Sequence, residues 1–309
     1  MIVSQAISGR KFLFLTGKGG VGKTTVTAAL ALMLASHNKR VLCAMCQSKD
    51  RLSTLLQGPP VGEQIVELRP NIFAVNLQPE AALAEYGQMV LRVRALYRAV
   101  FENKLVRSFF RATPGLYEWA MLGKAWYHTT EVLPNGEPRF DVVLMDAPST
   151  GHGLDMLRGP KVIVDVAPPG LLRREADKAW KMFSDPAQSG FVVVTLPEEM
   201  PVTETFDLLE ALENELVLPV AQVVVNGVIP PMFTPAERAQ LLAPRALDPS
   251  DEGDEALAAG ARRARREQVQ HQALVRLREN VRVPLAYLPY RFEGVTTFES
   301  VAELAMRLT

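Results

Sequence analysis

A glycine-rich run near the start of the chain holds two lysines and a threonine at a spacing that suits phosphate binding. Its residues, which fit the pattern G-x-x-x-x-G-K-[ST], are Gly17, Lys18, Gly19, Gly20, Val21, Gly22, Lys23 and Thr24. Glycines let the backbone curl so that successive N–H groups face an anion. In such a loop the final lysine reaches the β- and γ-phosphates of a nucleotide, and the threonine hydroxyl binds Mg²⁺. We therefore predict an ATP–Mg²⁺ site in which Lys23 binds phosphate and Thr24 binds the metal.

An acidic residue at the end of an apolar run complements this loop. Asp146 directly follows the run 142–145, which we interpret as a strand buried on both faces. A carboxylate at the end of such a strand can reach Mg²⁺ or its water shell. The alternative is an aspartate that only caps the following turn. Beside a phosphate loop we prefer the metal role for Asp146.

The elements that must position these residues alternate between short β-branched runs and longer helical stretches. The predicted strands lie at 11–16, 40–46, 71–77, 140–146, 190–196, 221–226 and 284–288, and a helix follows the loop at 24–37. Continuous apolar strands are typical of a parallel sheet covered by helices on both sides. We predict a doubly wound, mostly parallel α/β fold, organised as a single P-loop ATPase domain over residues 1–309.

One segment, at about 79–130, does not alternate and is helical in pattern apart from a break at Pro114 and Gly115. We predict a helical subdomain inserted into the α/β core. Its apolar stripes either pack against one another as an ordinary core or form a groove for a hydrophobic partner. Further along, we predict a loop at 247–255 and a long charged helix at 256–280.

Composition narrows the classes of function. Lys+Arg and Asp+Glu both number 34 in 309 residues, so charge gives no reason to expect nucleic acid as a partner. The apolar stretches are much shorter than the roughly 20 residues of a membrane span, and the first residues lack a signal-peptide pattern. We expect a cytoplasmic protein that is not an integral membrane protein. Cys43 and Cys46 are interpreted as buried strand residues rather than as a metal or redox pair.

Lys18 adds a second lysine to the loop, and the run from Lys18 through Thr25 resembles the deviant P-loop (deviant Walker A) of dimeric NTPases. The stretch from Asp146 to His152 resembles the second switch of the arsenite-pump (ArsA-type) and tail-anchored-protein-targeting ATPases. Residues 195–204 resemble the bacterial branch of that family. The resemblance implies a nucleotide-switched ATPase that works as a homodimer or heterodimer. It also implies that Lys18 reaches the partner's phosphates, as an arginine finger does.

The same resemblance assigns the base site and the partner. Asn226 matches the family's adenine-reading asparagine, and Pro289 and Tyr290 match the loop that packs over the base. Residues 112–126 resemble part of the family's helical subdomain. The implied role is to hydrolyse ATP to ADP and phosphate and so change conformation on a partner or client. Membrane-protein targeting fits better than anion extrusion, because two strand cysteines are a poor metalloid site.

The resemblance fails at one catalytic position. The family's first switch begins with an aspartate that positions the attacking water and accepts its proton. Matching Leu52 and Ser53 to the family's leucine–serine pair places Gln47 at that position. Glutamine can orient water but cannot take a proton at neutral pH, and Asp50 lies three positions late. We predict intact ATP binding with impaired turnover; the alternatives are a complete ATPase and an impaired subunit that pairs with a catalytic homologue.

Overall fold

The computed structural model describes residues 6–91, 116–166, 169–244, 248 and 250–308. Eight strands form one sheet in the order β3-β4-β2-β5-β1-β6-β7-β8. The strands are β1 Phe12–Thr16, β2 Val41–Cys46, β3 Val66–Arg69, β4 Ile72–Leu77, β5 Val142–Asp146, β6 Ser189–Thr195, β7 Val220–Val228 and β8 Leu285–Pro289. All neighbouring pairs are parallel except β3–β4, which is antiparallel at one edge.

Helices cover both faces of the sheet. They are α1 Lys23–Ser36, α2 Leu52–Leu56, α3 Pro79–Leu91, α4 Leu116–His128, α5 Thr150–Val166, α6 Leu171–Ser184, α7 Glu199–Glu210, α8 Pro235–Leu242, α9 Glu252–Asn280 and α10 Phe298–Met306. One buried cluster packs α1, α2 and α10 against one face, and a second packs α4 to α7 against the other. The predicted doubly wound, mostly parallel α/β fold is confirmed.

The central strand β1 explains where chemistry can occur. It is fully buried and lies between β5 and β6, with which it pairs in parallel register. Leu15 pairs with Asp146, the last residue of β5. The carboxyl ends of parallel strands meet at one edge of the sheet, so the loop after β1 and the end of β5 are brought together.

Two elements differ from the sequence-based predictions. Strand β3 was missed because only Leu68 of its four residues is buried, and an edge strand of this kind lacks a continuous apolar run. Helix α9 begins at Glu252, inside the stretch predicted as a loop. The Asp251 side chain accepts the N–H of Asp254 at 2.9 Å and so caps the helix. Acidic residues also suit the positive end of a helix.

Between β4 and β5 the chain runs through α3 and α4, which pack against each other and are joined by a Lys124–Glu85 ion pair of 2.6 Å. The centre of the predicted subdomain, 92–115, lies outside the described residues, so the boundaries of this insertion stay a prediction. In the described part of the chain, none of the helices has both the length and the apolar character that crossing a membrane requires.

Candidate nucleotide-binding site

The glycine-rich loop joins the end of β1 to the start of α1, and its backbone admits only glycine at two points. Gly17 has φ +142°, and a Cβ there would lie 2.1 Å from the carbonyl oxygen of Val194. Gly22 has φ +91°, and its Cβ would lie 2.4 Å from Nδ2 of Asn226. The loop therefore packs closely against Val194 of β6 and Asn226 of β7, and α1 begins directly after it at Lys23. The first turn of α1 then points its free N–H groups at the loop.

Lys23 lies across the loop that precedes it. Its Nζ donates to the carbonyl oxygens of Gly17 at 2.9 Å and Lys18 at 3.1 Å. Burial lowers the pKa of Lys23, and the charge of Asp146 opposes that shift. An ammonium that is partly desolvated and held by two neutral carbonyls is well placed to exchange them for a phosphate oxygen, because charge-assisted hydrogen bonds are stronger.

Thr24 and Asp146 meet at the edge of the sheet. The Thr24 hydroxyl donates to Oδ2 of Asp146 at 2.6 Å, and Asp146 is only 6% exposed. Burial raises the pKa of Asp146, although the Thr24 hydrogen bond and the charge of Lys23 act in the opposite direction. A hydroxyl and a carboxylate are hard oxygen donors of the kind that Mg²⁺ binds. The donor set therefore fits Mg²⁺, and Thr24 and Asp146 are the residues that could hold it.

Lys18 has a partner within the same chain. Its Nζ forms an ion pair with Oε1 of Glu204 on α7, and both side chains are about one-third exposed. Sequence reasoning identified 195–204 only as a family motif and assigned Glu204 no role. The period of α7, which buries Val202, Thr205 and Leu208, would have placed Glu204 off its buried face. It would not have identified the lysine that Glu204 meets.

Gln47 follows β2 and is exposed. Its φ is +42°, in the left-handed region, and its N–H donates to the carbonyl oxygen of Leu77 at 2.9 Å. Asp50 does not take its place as a free base. The two carboxylate oxygens of Asp50 accept the N–H groups of Ser53 at 3.1 Å and Val61 at 2.8 Å. Asp50 therefore holds the loop after β2 in shape.

The predicted base-site residues lie side by side on β7, at the last residue of β8 and directly after it. Asn226 donates from Nδ2 to the carbonyl oxygen of Val21 at 2.9 Å, which ties β7 to the phosphate loop. Pro289 pairs with Val228 in the register of β7 and β8. Tyr290 donates its N–H to the Val228 carbonyl oxygen at 2.8 Å. The phosphate loop, Asn226 and Tyr290 thus lie next to one another at the carboxyl end of the sheet.

The remaining polar candidates lie elsewhere. His152 on α5 is exposed, and its Nδ1 is 3.9 Å from Oε1 of Glu118 on α4, so it lies where the helix after Asp146 faces the insertion. Cys43 and Cys46 are free and buried, and they belong to the clusters on opposite faces of the sheet. Burial raises the pKa of both thiols, which disfavours the reactive thiolate.

A phosphate loop after the central strand of a parallel sheet, with an acidic residue ending the neighbouring strand, defines a P-loop nucleotide-binding protein. The family of anion-transporting (ArsA-type) ATPases matches residues 10–167 and 172–241. The chain belongs to this ArsA-type family. ATP binding and ATP hydrolysis are therefore the activities of the family to which it belongs.

Individual relatives extend the comparison. ATPase BagA of Mycobacterium tuberculosis is 30% identical over 239 residues, which cover 76% of this chain and 70% of that protein. ATPase GET3B of Arabidopsis thaliana is 26% identical over 279 residues, covering 74% and 67%. The arsenical pump-driving ATPase of Escherichia coli is 27% identical over 241 residues, covering 71% of this chain and only 40% of the pump ATPase.

Proposed function

We propose that the protein is a nucleotide-switched ATPase that closes as a dimer on ATP–Mg²⁺ and changes conformation on a partner or client. The observation that carries this proposal is the meeting of Lys23, Thr24 and Asp146 at the end of β1 and β5. Lys23 carries the charge for the β- and γ-phosphates, while Thr24 and Asp146 hold the oxygens for Mg²⁺, which supplies further neutralisation of phosphate charge when bound.

Each remaining site residue has a part in the proposal. The loop residues Gly17 to Gly22 offer N–H groups to the phosphates, and Thr25 lies in the first turn of α1. Asn226, Pro289 and Tyr290 wall the base. Lys18 leaves Glu204 to reach the phosphates of a second subunit. The partner is a second copy or a related ATPase, in a cytoplasmic setting.

We further propose that hydrolysis is impaired in this chain. When water attacks the γ-phosphate, a new P–O bond forms, the bond to the ADP oxygen breaks, and the water must lose a proton. Gln47 can orient that water through its amide oxygen but cannot accept the proton. Asp50 is occupied by two backbone N–H groups. The protein then acts as a nucleotide-held switch, alone or with a catalytically complete homologue.

A comparison of wild type with Gln47→Asp tests both proposals. ATP should bind to both, and Gln47→Asp should hydrolyse it about 10²-fold faster, the lower range for one general base. Gln57→Asp is the matched control, because Gln57 is also exposed and also has a left-handed φ, +49°. Fast hydrolysis by the wild type, with no gain in Gln47→Asp, contradicts the impairment; a wild type that does not bind ATP contradicts the proposed function.

We also propose that the client is hydrophobic and binds at the α3–α4 insertion. The relatives include a GET3B ATPase as well as arsenical pump-driving ATPases. The α3–α4 insertion contacts α5, which starts directly after the Asp146 segment. A change at the γ-phosphate can therefore reach the insertion through α5, and an apolar segment of a membrane protein is the client that we propose there.

A further inference from the structure

Two arginines of the long helix α9 stack on the aromatic residues that follow β8. The guanidinium carbon of Arg266 lies 4.6 Å from the centre of the Tyr290 ring, and that of Arg263 lies 5.7 Å from the centre of the Phe292 ring. The two rings meet edge to face, with 5.1 Å between their centres. Residues three apart on a helix share a face, so both arginines reach the same loop.

Tyr290 connects this stack to the phosphate loop. A Cβ on Gly227 would lie 3.8 Å from Cδ2 of Tyr290, and the preceding residue, Asn226, contacts the loop at Val21 and Gly22. A ring that lies beside this asparagine is in the right place to pack against a base whose phosphates occupy the loop. The orientation of the Tyr290 ring then depends on the residue that packs on it, which is Arg266.

Helix α9 is itself fixed to the segment that follows β7. Glu267 is buried, and it accepts the Met232 N–H at 2.9 Å and Nε of Arg263 at 2.9 Å. Gln270 bonds to both backbone groups of Ile229, each at 2.8 Å. Burial alone would raise the pKa of Glu267, but the hydrogen bonds from Met232 and Arg263 outweigh it and the pKa is lowered. The helix thus holds a fixed position relative to β7.

A third element, α10, also holds the loop that follows β8. Arg291 forms an ion pair with Glu303 on α10. This contact gives the Arg291 side chain a structural role. Tyr290 is therefore fixed by β7 through its backbone and by α9 through its ring, while its neighbour is fixed by α10.

We propose that Arg266 is a positioning residue for the purine base of the nucleotide. By stacking on Tyr290 it fixes the ring against which the base packs, and so it sets base affinity without touching the phosphates. The inference rests on the proposed function of the loop as an ATP site. It adds the residue that holds the Tyr290 ring in position for the base. A preorganised wall improves affinity because less freedom is lost on binding.

Calorimetric titration of full-length wild type, Arg266→Met and Arg265→Met with ATP and with inorganic tripolyphosphate tests the proposal. Arg266→Met should bind ATP about two- to fivefold more weakly, the size of one exposed cation–π contact. Tripolyphosphate binding should not change. Arg265→Met removes the same charge from the next position, which is also exposed, and should bind both ligands like the wild type. Arg266→Lys keeps the positive charge but lacks the planar group that stacks on the ring. Its ATP affinity should therefore lie between that of the wild type and that of Arg266→Met.

A double-mutant cycle separates positioning from general stability. In a Tyr290→Leu background, Arg266→Met should have no further effect on ATP affinity, because the ring on which it acts is gone. Equal losses for Arg266→Met and Arg265→Met, a parallel loss of tripolyphosphate binding, or a full effect in the Tyr290→Leu background would each overturn the proposal. Failure of the wild type to bind ATP would overturn the proposed function together with this inference. If the wild type binds ATP but the variants do not follow the predicted pattern, only the inference is overturned.

Discussion

At the residue scale, the ammonium group of Lys18 has two competing acceptors in the proposed cycle. In the single chain it pairs with Glu204; in the proposed ATP-bound dimer it reaches phosphate oxygens of the partner. Both side chains of the pair are about one-third exposed, and solvent weakens such pairs to about 0–1 kcal/mol. Glu204 therefore restrains Lys18 weakly, and the restraint can be released by a multiply charged phosphate.

Glu204→Gln should strengthen ATP-dependent homodimerisation by up to about 30-fold, because each of the two chains loses a competing carboxylate worth up to about 1 kcal/mol. Sedimentation equilibrium in ATP and Mg²⁺ measures the dimer dissociation constant. Glu199→Gln, on the exposed first turn of the same helix, removes the same charge away from Lys18 and should leave the constant unchanged. A weaker dimer in Glu204→Gln would mean that the carboxylate serves the interface instead of restraining the lysine.

At the element scale, α4 and α5 approach closely where α5 carries Gly159. A Cβ at Gly159 would lie 3.0 Å from Cβ and 3.2 Å from Cδ1 of Trp119, which is buried in α4. Pro160 follows, and a proline disfavours the helical conformation of any preceding residue that has a Cβ. Glycine at this position therefore allows α5 to lie against the insertion.

Gly159→Ala should lower the free energy of unfolding by about 1–3 kcal/mol, the usual cost of overpacking, as measured by urea denaturation. Gly151→Ala in the same helix is the control, because a Cβ there meets nothing within 4 Å. Alanine is a better helix former than glycine by about 1 kcal/mol, so Gly151→Ala should leave stability unchanged or raise it. Equal effects of the two substitutions would show that the contact between α4 and α5 is not tight.

The elements also show how far sequence reasoning reaches. The seven predicted strands and α1 lie within about two residues of their observed bounds, because buried parallel strands have continuous apolar runs that need no tertiary information. The edge strand β3 lacks such a run. Within the site, the loop was predictable because its spacing is local. The Lys18–Glu204 and Arg266–Tyr290 contacts were not predictable, because each joins residues of different elements that only the folded arrangement brings together.

At the scale of the whole molecule, the proposed switch is a change of assembly. In ATP and Mg²⁺ the mass in solution should rise from 34.1 kDa toward twice that value, and ADP should leave it nearer the monomer. Lys18→Met should abolish this rise while each chain still binds ATP through Lys23. Lys39→Met, an exposed lysine outside the loop, should behave as wild type. Light scattering after size exclusion measures the mass; a dimer that persists in Lys18→Met contradicts the proposed role of Lys18 across the interface.

The position of β1 at the centre of the sheet also has a consequence for the order of folding. Leu13 pairs with Leu144 in β5 and with Gly190 in β6, so the strand that carries the phosphate loop is synthesised before either of its two partners. Contacts between residues so distant in sequence slow folding, and an apolar strand is prone to aggregate until its partner strands pair with it. The residues of the loop are thus synthesised before the strands that hold β1 in place. A chain halted before β6 would leave one side of β1 open to such association.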